Sequence, residues 1–130
     1  MLFSGTVREN ITLLCPDATD DEVKKAITDA CAEFVYDLEN GLDFVLTEDG
    51  GGISEGQAQR LAIVRALLGK GKILLMDEST SALDDESERR LLRNLKNRND
   101  LTILFITHRQ SVLDCCDREI QVSDGKIAES

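Results

Sequence analysis

Two short apolar runs separated by a helical pattern constrain the fold of this chain most. The first run is Ile73–Met76, and the second is Leu101–Ile106, which is rich in β-branched residues. Apolar runs of this length are typical of parallel strands that are buried on both faces. Between them, residues 85–97 carry leucines at helical spacing. Strand, helix and strand in this order predict an α/β layer built on parallel strands.

The first forty residues follow a helical pattern instead. Residues 6–9 and 19–22 both read Thr-x-x-Glu, the capping box in which two side chains accept hydrogen bonds from backbone N–H groups at a helix start. The first box predicts a short helix through Leu13. The second precedes apolar residues at helical spacing over 20–35 and predicts a helix with one apolar face there.

The charge balance argues against two classes of partner. The 130 residues carry 15 Lys and Arg against 25 Asp and Glu, a formal net charge of −10. A chain this acidic repels phosphate backbones and anionic lipid, so we expect no nucleic-acid partner and no direct binding to a membrane surface. No apolar run approaches the roughly 18 residues of a membrane helix, and the start of the chain lacks a signal-peptide pattern. We therefore expect a chain that is neither secreted nor membrane-spanning.

Four cysteines bear on metal binding and redox state: Cys15, Cys31, Cys115 and Cys116. None forms a C-x-x-C pair, and His108 is the only histidine, so a zinc site is not expected. The main interpretation is that they are reduced thiols acting as small apolar residues. A strained bridge between the last two is the alternative.

A glycine-rich loop leads into a helical pattern at the centre of the chain. Gly50, Gly51 and Gly52 precede a third capping box, Ser54-x-x-Gln57, in which Ser54 is the expected N-cap. Such a helix start presents free N–H groups and the positive end of the helix dipole, which suits an anion such as phosphate. Many capped helices follow glycine loops for structural reasons alone, so the loop by itself leaves both interpretations open.

Polar residues follow each apolar run, where the carboxyl ends of parallel strands bind ligands in open α/β sheets. Asp77 and Glu78 follow the first run. One carboxylate can hold Mg²⁺, usually through water, and the other can orient and deprotonate an attacking water. An acidic cap for the next loop is the structural alternative. His108 follows the second run, where it can act in catalysis or contact phosphate; a structural or merely exposed histidine is the alternative.

The order and spacing of these features resemble the second half of an ATP-binding-cassette (ABC) nucleotide-binding domain. The resemblance rests on Ile53–Leu68, Ile73–Glu78, Ser81–Asp84 and Thr107-His108, while Leu2–Ile11 is similar to the segment that opens the helical subdomain of exporter-type members. It covers the chain nearly end to end. The fold it implies is α/β: a partial P-loop NTPase sheet with parallel strands, flanking helices and a helical subdomain, in which the phosphate-loop strand is missing.

The resemblance implies one incomplete nucleotide-binding domain over residues 1–130. Its helical subdomain would span 5–47, and its signature loop and helix 48–70. Residues 71–130 would hold the Walker B strand, the D-loop and the switch histidine of the α/β core.

The resemblance also implies a role for each site residue. Asp77 would lie near Mg²⁺, Glu78 would be the general base, and His108 would contact the γ-phosphate. The signature motif would contact the γ-phosphate of an ATP held by the opposing domain, and the D-loop would communicate across the dimer. The residues expected in these two nucleotide-binding segments are Ser54, Glu55, Gly56, Gln57, Ser81 and Asp84.

Two departures from the family pattern affect activity. No G-x-x-x-x-G-K-[ST] occurs in the 130 residues, so the family's phosphate loop has no counterpart, and we expect the chain alone not to hydrolyse ATP appreciably. In the family, that loop's strand lies between the strands matching 101–106 and 118–122. Its absence predicts unpaired strand edges, and hence self-association, closure of the gap or poor solubility.

The second departure is Glu55, which replaces the usual glycine of the signature motif. Either its side chain points into solvent and leaves the site unaffected, or its charge weakens the site.

The implied function is the ATP-binding and ATP-hydrolysing portion of an ABC exporter, with ATP and Mg²⁺ as cofactors. The implied partners are a transmembrane domain, docked near the helical part, and a second nucleotide-binding domain. The implied location is the cytoplasmic face of the cell membrane, reached through the transmembrane partner. Two alternatives stay open: a truncated, non-catalytic interaction fragment, and a soluble ABC ATPase of DNA repair, which the acidic charge disfavours.

Overall fold

The computed structural model describes residues 2–48, 51–69, 71–77, 82–98, 100–123 and 125–129. The helices in these ranges are α1 Val7–Ile11, α2 Asp20–Asp29, α3 Glu55–Leu68, α4 Asp85–Lys96 and α5 Gln110–Leu113. The strands are β1 Gly5–Thr6, β2 Val45–Leu46, β3 Ile73–Asp77, β4 Thr102–Ile106, β5 Ile120–Ser123 and β6 Lys126–Glu129. Two 3₁₀ turns, Glu33–Asp37 and Gly41–Asp43, connect α2 to β2.

The three predicted capping boxes are all confirmed. The hydroxyls of Thr6, Thr19 and Ser54 accept from the backbone N–H three residues on, at 3.0, 3.2 and 3.1 Å, and in each box the side chain at that third position accepts in return. α1 ends at Ile11 rather than at Leu13, and residues 12–14 form a turn. Pro16 disfavours a helical backbone at the residue before it, so the helix ends ahead of the proline.

The helix expected over residues 20–35 ends early, at Asp29. Cys31 has a left-handed backbone with φ of 56°, and the chain continues as a 3₁₀ turn that keeps Val35 buried. Contacts from distant helices stabilise this break, since the Arg60 guanidinium donates to the Cys31 carbonyl at 3.2 Å and the Asn94 amide to the Thr28 carbonyl at 3.2 Å. The apolar residues continue at helical spacing beyond Asp29 because the 3₁₀ turn also carries a buried side chain, Val35.

The two apolar runs form a parallel pair, as predicted. β3 and β4 run in register from Ile73 opposite Thr102 to Asp77 opposite Ile106. β5 and β6 form an antiparallel hairpin, and β1 pairs with β2. Among the described strands, β4 is hydrogen-bonded to β3 and not to β5.

The expectation that β3 is buried on both faces is wrong for the described chain. Leu74 and Met76 face the core and are buried, whereas Ile73 and Leu75 are 73% and 58% exposed. On β4 the same face carries Leu104, which is 55% exposed. The helices pack against one side of this two-stranded sheet, and the described residues leave its other side open.

A single apolar core joins the amino-terminal helices to the sheet. It runs from α1 and α2 through α3 to β3 and α4 and includes Ile11, Ile27, Leu61 and Leu91. Asn10 is a fully buried polar residue within it; its amide donates to the carbonyls of Phe3 and Thr6 at 3.0 and 2.9 Å and accepts from the Phe3 N–H at 2.8 Å. These bonds hold the start of the chain onto α1.

The four cysteines are free thiols. Cys15 and Cys31 are buried, and burial raises the pKa of the Cys31 thiol and of the Cys116 thiol. No helix in the described part of the chain is both long enough and apolar enough to cross a membrane.

Candidate functional site

Asp77 and His108 lie at the same edge of the parallel sheet. Asp77 is the last residue of β3 and pairs in register with Ile106, the last residue of β4. Thr107 and His108 follow directly, and both Asp77 and His108 are exposed at this edge. The parallel register therefore brings these two predicted site residues together. Glu78, the predicted base, lies outside the described residues.

The start of α3 is an exposed, fully capped helix terminus. Ser54 is the N-cap, and its own N–H donates to Gln57 Oε1 at 2.9 Å, so the Gln57 carbonyl oxygen belongs to the cap. The N–H groups of Glu55 and Gly56 belong to the first turn and have no intrahelical acceptor. Ser54 and Glu55 are both exposed. The terminus can thus donate to an anion from its N–H groups while the Glu55 side chain stays in solvent.

Gly56 lets a second segment approach the start of α3 closely. A Cβ atom at this position would lie 2.8 Å from the backbone oxygen of Ala82. The Gln59 side chain accepts from the Ala82 N–H at 3.2 Å. The helix start is therefore packed onto the segment that leads to Asp84, a contact that the sequence motifs alone did not reveal. Ser81, in the same segment, lies outside the described residues.

Arg60 connects the first turn of α3 to the segment that follows α2. Its Nε donates to the Gly56 carbonyl at 3.3 Å, its Nη1 donates to the Cys31 carbonyl at 3.2 Å, and its guanidinium carbon lies 5.0 Å from the centre of the Phe34 ring. The arginine therefore joins α3 to the turn that ends α2. No sequence motif marked this residue for such a role.

Asp84 begins α4. Its Oδ1 accepts from the Ser87 N–H at 2.7 Å, and this hydrogen bond lowers the pKa of the Asp84 carboxyl. The structure therefore gives Asp84 a capping role, and its expected role toward nucleotide stays a prediction.

A buried carboxylate that the sequence analysis missed lies one turn farther along α4. Glu88 is 1% exposed and is ion-paired to Arg109, the residue after His108, with Nε 2.8 Å from Oε2. Its sequence signal is its position on the apolar side of the helix, three residues before Leu91 and seven before Leu95.

The donor set suits a magnesium nucleotide in part. Asp77 offers an exposed carboxylate at a strand end, and oxygen is the ligand that Mg²⁺ prefers. No group of three or more metal-binding side chains occurs within the described ranges. The imidazole of His108 and the open start of α3 add donors suited to phosphate oxygens.

Comparisons with known proteins agree on one family. A sequence profile of the ABC transporter family matches residues 2–81. The chain is 44% identical over 130 residues to the cyclolysin secretion/processing ATP-binding protein CyaB of Bordetella pertussis, covering 98% of this chain and 18% of that protein. It is also 44% identical to an ATP-dependent lipid A-core flippase of Pasteurella multocida, with 98% and 22% covered.

A solved structure gives the same result for the fold. The chain superposes on a bacterial Atm1-family ABC exporter with ATP bound, with a TM-score of 0.91 and 35% identity, over 98% of this chain and 23% of that one. The chain thus spans about a fifth of the length of the relatives that it matches.

Proposed function

Because the chain belongs to the ABC transporter family, in the ATP-binding part of its exporters, we propose that it acts on the outermost phosphate of ATP and couples hydrolysis to transport. The observation that carries this proposal is the parallel register of β3 and β4, which puts Asp77 and His108 at one sheet edge. Ligands bind at the carboxyl ends of strands in sheets of this kind.

The chemistry divides among the side chains at this edge. Asp77 would hold Mg²⁺ through water, and the bound ion would supply charge neutralisation for the phosphate oxygens. Glu78 orients the attacking water and accepts its proton. His108 donates to the γ-phosphate from its exposed position after β4. Catalysis of this kind rests on positioning and charge neutralisation more than on covalent chemistry.

The start of α3 serves a nucleotide held by a second nucleotide-binding domain. The Ser54 hydroxyl and the N–H groups of Glu55 and Gly56 donate to its γ-phosphate, with Gln57 completing the signature motif. The exposure of Ser54 and Glu55 supports a role that faces another domain. It also supports the interpretation that the carboxylate of Glu55 does not weaken the site. Ser81 and Asp84 lie in the segment that passes signals between the two domains.

The other proposed partner is a transmembrane domain, docked near the helical part over residues 5–47. Through that partner the chain lies at the cytoplasmic face of the membrane. The relatives named as a flippase and a secretion protein support a transport role.

The chain alone is proposed to be inactive, because none of its residues supplies a phosphate loop. A cleft of about 1160 Å³ lies between β4 and the segment from Cys115 to Gln121, lined on its apolar side by Leu92, Leu95 and Phe105. A strand carrying the phosphate loop would fill this cleft and pair with the free edge of β4.

Complementation in trans tests the proposal. The 130-residue chain is mixed with a polypeptide carrying the phosphate-loop half of a related exporter domain, and Mg²⁺-dependent ATP hydrolysis is measured. We expect turnover from the mixture only, abolished by Glu78→Gln and retained by the matched control Glu86→Gln. Turnover by the chain alone, abolished by Glu78→Gln, would refute the proposed inactivity; a stable complex without turnover would refute the catalytic role.

A stable complex without turnover would favour the alternative of a non-catalytic interaction fragment. The exposed apolar face that includes Ile73, Leu75 and Leu104 supports this alternative, because such a surface is suited to binding another polypeptide.

A further inference from the structure

The buried carboxylate of Glu88 needs an explanation beyond packing. It lies in the first turns of α4, on the side that carries Leu91 and Leu95 into the core. A charged group is costly to bury unless it is paired, and an apolar residue of similar size would fill this position at less cost.

Both oxygens of Glu88 meet residues that directly follow His108. Arg109 Nε lies 2.8 Å from Oε2, and the Ser111 hydroxyl donates to Oε1. Arg109 also reaches the neighbouring Asp85, with Nη2 3.5 Å from Oδ1. Two residues of the segment after β4 are therefore attached to one carboxylate of α4.

Two further hydrogen bonds connect this ion pair to the neighbours of His108 and to Asp84. The Arg109 N–H donates to the Thr107 hydroxyl at 3.0 Å, which closes a tight turn around His108. On α4, the Glu88 N–H donates to the Asp84 carbonyl at 2.9 Å. One helical turn and one ion pair thus separate the histidine segment from the residue that starts α4.

We propose that Glu88 is a positioning residue, which holds the His108 segment at a set place relative to the Asp84 segment through Arg109 and Ser111. Glu88 itself touches no nucleotide; its effect on hydrolysis rests on the proposed function of His108. A displacement of α4 at Asp84 moves the histidine with it, because the ion pair transmits the shift. The two segments then respond to nucleotide as one unit.

His108 makes the proposal measurable without any assay of activity. It is the only histidine of the chain, so its imidazole gives a single set of carbon-bound proton signals in a ¹H–¹³C spectrum. Those signals report the surroundings of the ring, which a contribution of Glu88 to stability alone would leave unchanged in the folded chain.

The experiment compares the spectra of Glu88→Gln, Arg109→Gln and their double variant with that of the parent chain at neutral pH. Glu86→Gln removes the same charge from an exposed position of α4 and is the matched control. We expect both single variants to shift or broaden the His108 signals, the double variant to add little further, and the control to leave them in place. Signals that superpose on the parent's in folded Glu88→Gln would overturn the proposal.

Arg109→Gln keeps the test decisive if Glu88→Gln fails to fold. The Arg109 side chain is 30% exposed, so its replacement opens no cavity, although it leaves the Glu88 carboxylate buried without its partner. The double variant removes both charges and is measured if either single variant unfolds; unchanged His108 signals in any folded variant of the three would overturn the proposal. In the complemented ATPase, we expect Glu88→Gln to lower kcat by about 10- to 100-fold through misplacement of the histidine, with KM for ATP nearly unchanged. Moved signals with unchanged kcat would support the positioning and refute the role of His108 in hydrolysis.

Discussion

Gly56 lies in the first turn of α3, where its Cα faces the carbonyl of Ala82. The motif of which it is part suggests an anion site, yet the structure adds a packing requirement. Any side chain here would contact the backbone of Ala82, and a backbone cannot change rotamer to relieve the contact as a side chain can. Residue identity at this position therefore serves the contact between two segments as well as the helix start.

The substitution Gly56→Ala is expected to lower the free energy of unfolding. A Cβ atom 2.8 Å from the Ala82 oxygen forces the two segments apart, and overpacking of this kind costs about 1–3 kcal/mol. Urea denaturation measures the change. Gly71→Ala is the control, since its Cβ would meet its nearest atom at 3.8 Å; equal stability of the two variants would contradict the packing argument.

At the scale of elements, the starts of α1, α2, α3 and α4 each depend on one or two hydrogen bonds from side chains that are close in sequence. α4 depends on Asp84, whose carboxylate accepts from the Ser87 N–H. Because this bond favours the ionised form, it lowers the pKa of Asp84 in the folded chain. In the unfolded chain the carboxyl has its ordinary pKa of about 3.9.

The stability of the chain is therefore expected to depend on the charge of Asp84 in acid. A pKa that is lower in the folded state contributes stability that is fully present above the unfolded pKa, and is lost as pH falls through the folded value. Asp84→Asn keeps a good N-cap without the titration, so it should lose less stability than the parent on acidification from neutral pH to below about pH 3.9.

Thermal unfolding followed by circular dichroism across this pH range checks the prediction. Asp37→Asn removes an exposed carboxylate elsewhere and should retain the pH dependence of the parent. If Asp84→Asn and the parent lose stability in parallel, the cap does not titrate in this way.

At the scale of the whole molecule, the chain has one continuous core and one uncovered face. The core joins four helices to β3. The uncovered face consists of Ile73 and Leu75 on β3 with Leu104 and Ile106 on β4, all close to half exposed or more. Burial of such surface is worth roughly 25 cal/mol per Å², which favours any contact that covers it.

We expect the isolated chain to self-associate through this face. Leu75→Lys combined with Leu104→Lys should shift the chain toward monomer, because burying two ammonium groups opposes the contact. Sedimentation velocity over a range of concentrations measures the change. Leu13→Lys, at an exposed position after α1, should leave the association intact, and a parent chain that stays monomeric at every concentration would contradict the expectation.

The sequence by itself determined what depends on neighbours along the chain. The three capping boxes and the two apolar strands rest on hydrogen bonds or periodicity within a few residues. The parallel order of β3 and β4 follows from the helix between them, and so does the placing of Asp77 and His108 at one edge.

Only the tertiary structure decided the features that depend on residues far apart in the chain. The early end of α2 is stabilised by Arg60 and Asn94 from other helices, and the pairing of Glu88 with Arg109 crosses from α4 to the segment after β4. The open face of the sheet depends on which helices pack against it. Local sequence patterns do not predict such contacts, because the energies of the contacts arise only when segments that are distant in sequence pack together.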